Sequence, residues 1–511
     1  MITNTKIKKS PEQLEKIIAD LERALNQERA ELILYKEKYI RLLEEFRLDK
    51  KRFFSSSSEK NILQPDLFDE AGIELSEEVK ERLEETIEIK EHPKKKKPSR
   101  RALPKAIPRE IIVLDIPDSD KICGCGAHLS KIGEEITEQL KYIPAQLSVV
   151  QHIRPKYACR PCQENVKIAT MPLLLLPKCI ATPELVAHTI ISKYCDHIPL
   201  YRQESIWQRL EIDLPRSSLC GWILKTAELC YPLVKLLQKN IVSYDYAQAD
   251  ETTVQVLAEV GRPNTSKSYM WCYRGGGEKP LIVYEYQPTR GGYHAEEFLK
   301  GFKGYLQSDA YSGYNFADKN ANIIKVACMA HARRKFADVI KISKTNGLAN
   351  EAMKFFRALY KIELQARDNN LTSGERFNLR QEKSLPILNA FKIWLDNQFT
   401  KTPEQSKIGG AIRYSLSNWL ALINYLKDGR IEIDNNLLEN AIRPFALGRK
   451  NWLFSGSPNG AKAGAVFYSL IETCKANKIE PYKYFVYMLY RIRHCLTEDD
   501  YLKLLPHSIE I

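Results

Sequence analysis

Two rhythms of apolar positions divide this chain. A seven-residue rhythm fills residues 12–47, with Leu14, Leu21, Glu28, Tyr35 and Leu42 in one row and Ile18, Leu25, Leu32, Tyr39 and Phe46 in the other. An apolar a/d repeat sustained over more than four heptads predicts a coiled coil, here assigned to 1–50, and with it a homo-oligomer. Glu28 and the tyrosines are weak seam residues, so a helix packed on its own protein fits the pattern too. The rhythm then stops. Serine-rich RFFSSSSEK (52–60) leads into a segment that turns from acidic to basic, with Lys94, Lys95, Lys96, Lys97, Arg100, Arg101 and Lys105 broken by prolines. Such a run reads as a charged linker over 51–110.

Helical spacing returns at 179–240. Thr182-Pro183-Glu184 is a helix start, with a cap, a proline at the first position and an early acid. A second helix is expected over about 200–210, carrying Arg202, and a third after Leu214-Pro215, opening on Arg216, Ser217 and Ser218. Short helices around a tight turn fit a helix-turn-helix whose Arg and Ser side chains face DNA; ordinary helical packing fits nearly as well.

From 241 the pattern changes to strands. Strands are expected at Ile241 to Ala249 leading to Asp250, at Tyr269 to Tyr273 and at Leu281 to Tyr286. A helix over His294 to Phe302 follows, then Gly304 to Ser308 as a strand ending at Asp309, then Ile323 to Ala327. The order of three strands, helix, strand, strand, helix resembles the ribonuclease-H-like arrangement, in which catalytic acids lie on the first strand and at the end of the fourth. The expected architecture is multidomain α/β plus α. Its core spans 241–344 and 429–475, with 345–428 as a helical insertion and 476–511 as a C-terminal cap.

The segment Ile431 to Ser457 closes that core. Asn435 or Asn436 is placed to cap a helix, along which Leu438, Ala441 and Ile442 repeat at helical spacing. Glu439 and Arg443, four apart, share a face, and Pro444 is expected to end or kink the helix. Arg449 and Lys450 follow, then the aromatic run Trp452-Leu453-Phe454, read as a buried strand. Taken alone, the segment fits an amphipathic helix with an exposed ion pair.

Composition sharpens this. The 511 residues exceed one compact core, so three or more domains are expected. A net charge of +13 points to a polyanionic partner, nucleic acid before membrane. No apolar run approaches the roughly 18–20 residues that span a bilayer, and the N-terminus lacks a signal-peptide core, so a cytoplasmic protein is expected. In that compartment the 12 cysteines need not be disulfides. Cys123 and Cys125, then Cys159 and Cys162, form two close pairs that suit a tetrahedral thiolate Zn2+ site, giving a zinc ribbon over 111–178.

Acids are abundant, so only context singles any out. Asp250 in a strand, Asp309 at a strand end and Glu439 on a helix beyond the insertion are three hard oxygen donors from separate segments. Such donors hold two Mg2+ ions about 3.5–4 Å apart for in-line phosphoryl displacement. Glu251, Glu432 and Asp434 compete for the same role.

Seven segments then carry a resemblance over nearly the whole chain: RPKYACRPC (154–162), SKYCDHIPLYRQE (192–204), LPRSSLCGW (214–222), ADET (249–252), SDAYSGY (308–314), CMAHARRKF (328–336) and DNNLLENAIRPFALGRKNWLFSGS (434–457). Together they resemble the insertion-sequence-66 family of bacterial DDE transposases. The resemblance implies a leucine-zipper-like start, a zinc finger, a helix-turn-helix, a DDE catalytic domain and a C-terminal cap. It puts the catalytic acids at Asp250, Asp309 and Glu439, with Arg443, Arg449 and Lys450 near phosphate. It implies binding to the element's terminal inverted repeats, cleavage and strand transfer into target DNA, and element-encoded accessory proteins. The alternative is a catalytically inactive end-binding regulator. Met329 departs from the family's usual tryptophan, and Cys328 and His331 look like a C-x-x-H found after the second acid in many such transposases.

Overall fold

The computed structural model describes residues 170–342 and 347–509, together with 22–23, 25, 27–28, 148–154, 156–157 and 167–168. The chain divides into two compact units, Gly72–Pro172 and a larger one that includes Leu173–Ile511. In the smaller unit Lys156–Tyr157 and Lys167–Ile168 pair antiparallel. They bracket in sequence the second cysteine pair. Cys123, Cys125, Cys159 and Cys162 themselves lie outside the described residues, as does most of the expected coiled coil. Of that helix, Glu22, Arg23, Leu25, Gln27 and Glu28 are described, as helical and exposed.

The larger unit is organised on a five-stranded sheet. Its strands are β1 (Tyr246–Gln255), β2 (Lys267–Gly275), β3 (Leu281–Gln287), β4 (Gly304–Ser308) and β5 (Ile323–Ala327), in the order β3-β2-β1-β4-β5. The first three form an antiparallel meander; β4 joins β1 in parallel and β5 joins β4 in parallel. A parallel return needs a crossover, and the short helix Tyr293–Phe298 lies in the connection from β3 to β4. Strand β1 is therefore central. Ala247 and Ala249 are fully buried, and Gln248 and Asp250, which alternate with them toward the other face, are buried as well.

The helices that lead directly into the sheet are α1 (Pro183–Tyr194), α2 (Leu200–Arg209) and α3 (Arg216–Ser243). Helix α3 continues through Ile241, where the apolar run had predicted strand; β1 begins at Tyr246. Ile241 is fully buried in either reading, so apolarity alone did not separate the two. Helices α1 and α3 share one buried cluster with the sheet through Val186, Ile190, Leu219, Leu233 and Leu237.

Edge strand β3 is covered by a helix at Pro458–Ala476. The Ile282 N–H donates to Thr473 Oγ1 at 3.0 Å and the Tyr284 N–H to Ser469 Oγ at 2.8 Å. Alternate strand residues thus meet hydroxyls one helical turn apart, which satisfies backbone donors that would template another strand.

The insertion is helical, as expected, with helices at Leu348–Asp368, Ser373–Leu379, Leu385–Phe399 and Lys407–Ser417. It packs on the helix that follows β5, Met329–Ile342, in a second buried cluster holding Phe336, Phe356, Phe391, Ile431 and Ile433. A single π turn, Arg380–Ser384, brings Arg380 wholly inside, where its guanidinium donates to both Glu363 oxygens at 2.8 and 2.9 Å and to the Tyr425, Asp428 and Ile431 carbonyls.

Candidate active site

The candidate acids meet where β4 ends beside β1. The parallel register pairs Gln248 with Gln307. Two residues beyond that pair come Asp250, still in β1, and Asp309, just past the end of β4. Asp309 sits in the first position beyond β4, half-buried, and its Oδ1 accepts the Tyr311 N–H at 3.0 Å. Asp250 is inside β1 and buried, with Oδ1 accepting the Glu251 N–H at 2.8 Å.

The third acid arrives from Asn436–Trp452, the helix after the insertion. That helix runs on through Pro444, against the expected break. It is tied to the sheet on both sides of the proline: the Tyr284 hydroxyl donates to the Ala441 carbonyl, and Arg449 Nη1 donates to the Thr253 carbonyl and, at 2.9 Å, to Thr253 Oγ1. Tertiary anchoring of this kind outweighs the loss of one intrahelical bond at a proline. Asn435 is the capping position, though its side chain makes no cap bond. Glu439 falls in the first turn, 4% exposed. The aromatic run is not a strand: Leu453 takes a left-handed turn (φ 65°), and Ser455 makes an isolated bridge to Val256, just past the end of β1.

Several carboxylates crowd together at this place. Burial first, then the neighbouring carboxylates of Glu251, Asp309 and Glu439, push the Asp250 carboxyl well above its ordinary range. A buried cluster of carboxylates is relieved by a bound cation. The competing acids are differently engaged. Glu251 is held by Arg290 at 2.6 Å and by the Tyr314 hydroxyl at 2.7 Å. Glu432 is bound by Arg376 at 2.9 Å. Asp434 accepts the Tyr360 hydroxyl at 2.9 Å and the Asn436 N–H at 3.1 Å.

Around Glu439 lie His331, with Nδ1 3.8 Å from Oε1, and Arg334, with Nη2 3.8 Å from Oε2. One ligand atom each from Cys328, His331 and Glu439 lie within 4.8 Å of one another. Burial, then Glu439 and Asp434, push the Cys328 thiol well above its ordinary value.

The remaining sequence candidates lie elsewhere on the larger unit. Arg443 is half-buried and Lys450 exposed. Arg449 is committed to β1 through Thr252 and Thr253. On the early helices Arg202, Arg216 and Ser217 are exposed and Ser218 half-buried. The Arg216 N–H at the start of α3 already donates to Glu204 Oε1 at 2.9 Å.

Sequence reasoning passed over Gln248 and Gln307. Gln248 Nε2 donates to Gln307 Oε1 at 2.8 Å, and Gln307 Nε2 donates to the Glu432 carbonyl at 2.8 Å, which fastens the lead-in to Glu439 onto the two acid-bearing strands. A signal was present: Gln-Ala-Asp (248–250) and Gln-Ser-Asp (307–309) each put a glutamine and an acid on one strand face.

Comparison with known proteins covers most of the chain. Residues 178–463 match the model described as "Transposase IS66 family". Residues 120–163, which include all four candidate zinc cysteines, match "zinc-finger binding domain of transposase IS66". Residues 469–507 match "IS66 C-terminal element", and 41–112 match "Transposase C of IS166 homeodomain". Among curated relatives, "Uncharacterized protein y4hP" of Sinorhizobium fredii is 33% identical over 419 residues, 78% of this chain and 75% of that protein. "Uncharacterized protein y4jD" of the same organism is 34% identical over 402 residues, covering 76% and 78%.

Proposed function

The chain belongs to the transposase IS66 family, and on that premise we propose that it is a metal-dependent DDE transposase acting at the terminal inverted repeats of its own element. Its catalytic domain is a ribonuclease-H-like core, a reading supported by the strand order β3-β2-β1-β4-β5 with β4 parallel to β1 and β5 parallel to β4. The observation that carries the proposal is the gathering of carboxylates from separate segments: burial, then Glu251, Asp309 and Glu439, raise Asp250, two residues beyond the last paired position of β1 and β4.

The donor set fits Mg2+, being carboxylate oxygens with excess negative charge. Asp250, Asp309 and Glu439 would hold two such ions, whose Lewis acidity stabilises charge on attacking and leaving oxygens. The chain's own residues do the positioning. The Gln248–Gln307 pair sets the strands, Arg449 sets the Glu439 helix against β1, and Arg443 and Lys450 supply positive charge to the DNA backbone. Water attacks the terminal phosphodiester and the P–O3′ bond breaks, and the freed 3′-OH then attacks a target phosphodiester, whose own P–O3′ bond breaks and leaves a target 3′-OH. Specific end recognition falls to the zinc-finger segment, with Zn2+ held by Cys123, Cys125, Cys159 and Cys162, and to Arg202, Arg216, Ser217 and Ser218. The N-terminal coiled coil pairs two ends, with accessory proteins of the element as further partners. Among the described residues no helix is long and apolar enough to cross a membrane.

The test is cleavage of a donor DNA bearing the element's ends in the presence of Mg2+. Asp309→Asn and Glu439→Gln should each abolish nicking while end binding persists. Cleavage surviving both substitutions would sink the triad. An intact protein that binds the ends and never cuts them would instead be an end-binding regulator.

A further inference from the structure

We propose that Cys328, His331 and Glu439 form a separate site for a thiophilic divalent cation, Zn2+ being the fitting one, and that filling it withdraws Glu439 from the magnesium pair. The inhibitory half of this inference rests on the role proposed for Glu439; the site itself does not.

The geometry is that of a three-ligand set. One atom each of thiol, imidazole and carboxylate lie within 4.8 Å of one another. Cys328 immediately precedes the helix Met329–Ile342 and His331 lies in its first turn, so the i, i+3 spacing sets both on one side. Glu439 comes from the helix Asn436–Trp452. The cluster is buried at Cys328 and Glu439 and half-buried at His331, which leaves a route for an ion.

The donors decide which ion. Mg2+ takes oxygen and retains water, and a thiol adds nothing for it. Cysteine sulfur with imidazole and one carboxylate is a zinc set, leaving a fourth position for water. Glu439 therefore has two sets of neighbours, the hard donors Asp250 and Asp309 and the softer pair Cys328 and His331. Its two oxygens differ as well, with Oε1 near His331 and Oε2 near Arg334.

The cysteine is held as a ligand would be. Its N–H donates to the Ser308 carbonyl at 3.1 Å, beside Asp309, and the Asn435 N–H donates to its Sγ at 3.2 Å. An amide donated to sulfur is an outer-shell contact that steadies a metal thiolate. The Asn435 side chain is itself wholly buried next to the cluster, and neither its Oδ1 nor its Nδ2 has a hydrogen-bond partner among the described residues. A buried amide left unsatisfied is costly, and a metal-bound water is a group that would satisfy it.

The experiment uses the full chain, with Zn2+ and Co2+ as probes. Zinc per chain is measured after loading and dialysis for wild type, Cys328→Ala and His331→Gln, with thermal melts to show that each variant is folded. Both variants should lose about one equivalent relative to wild type, as a set cut to two ligands no longer holds the ion. The Co2+ spectrum of wild type minus Cys328→Ala should show a thiolate-to-cobalt charge-transfer band, distinct from the contribution of Cys123, Cys125, Cys159 and Cys162 that both proteins retain. Equal zinc content and superimposable cobalt spectra in folded variants would overturn the site. In the cleavage assay, added Zn2+ should inhibit at fixed Mg2+, and Cys328→Ala should need at least about tenfold more zinc for half-inhibition, since losing a ligand costs no less than losing one of its outer-shell partners. A lost equivalent with no change in inhibition would overturn the regulatory role alone. A lost equivalent in a protein that never cleaves DNA would support the site and count against the strand-cleavage reading.

Discussion

Gln248 and Gln307 face one another across the parallel pair β1 and β4, Nε2 to Oε1 at 2.8 Å, each two residues before an acid. Their bond ties the register of the strands to the register of the acids. A slip of one residue would turn Asp250 to the other face of the sheet. Gln307 also accepts the Tyr246 hydroxyl at 2.6 Å and donates to the Glu432 carbonyl. Gln307→Ala should therefore deprive Gln248 Nε2, the Tyr246 hydroxyl and the Glu432 carbonyl of these bonds in the interior. Urea unfolding should show a loss of about 1–3 kcal/mol, and cleavage should fall even at temperatures where the variant stays folded.

The Asp250 carboxyl gives a prediction in the absence of metal. Its folded pKa lies above the unfolded value, raised by burial and then by Glu251, Asp309 and Glu439. The associated stability is thus fully present below the ordinary carboxyl range of about 4 and is lost as pH rises through the folded value. At neutral pH the metal-free protein carries that penalty. Asp250→Asn should raise its melting temperature by about 2–4 °C per kcal/mol relieved, and added Mg2+ should stabilise wild type and not the variant. A calorimetric titration of both proteins with and without chelator checks this.

Glu363 behaves in the opposite sense. Burial would raise its carboxyl, but the Arg380 hydrogen bonds and the charges of Arg380 and Arg376 leave it below its ordinary value. That stability is present above the unfolded carboxyl pKa and disappears as pH falls through the folded one. Arg380→Met removes one partner of a buried pair and should cost about 3–5 kcal/mol in urea unfolding. Arg376 also links Glu363 to Glu432, so local hydrogen exchange should rise across 431–435 as well as in the insertion.

Arg449 and Lys450 are adjacent in sequence and should separate in function. Arg449 is bonded to Thr252 and Thr253, and burial lowers its pKa. Arg449→Ala should loosen the Glu439 helix from β1, lowering the melting temperature and cleavage. Lys450 is exposed. Lys450→Ala should leave stability within about 0.5 kcal/mol and reduce the slope of log affinity against log salt by about 1. DNA-binding titrations at several salt concentrations, read beside thermal melts, distinguish the two.

Local patterns carried much of this in the sequence. Short apolar strand runs foretold β2 through β5, and capped helical spacing foretold α1 and the Glu439 helix. Segments spelling ADET, SDAYSGY and DNNLLENAIRPF made the family resemblance plain. These are statements about residues near one another along the chain, where backbone geometry dictates which side chains share a face. The end of α3 and the proline-containing helix were misjudged because both depend on what packs against them. Ile241 is buried equally well in a helix, and Pro444 is tolerated because Tyr284 and Arg449 hold the flanking turns. Only the tertiary structure decided what each of the six acids is bonded to. Spacing could not, since Glu251, Glu432 and Asp434 are as near in sequence to the motifs as Asp250 and Glu439. Those contacts are long-range. Arg290, Arg376 and Tyr360 engage those three, His331 and Arg334 lie beside Glu439, and the strand crossover and the folded-back helix bring Asp309 and Glu439, with the adjacent Glu251, to bear on Asp250.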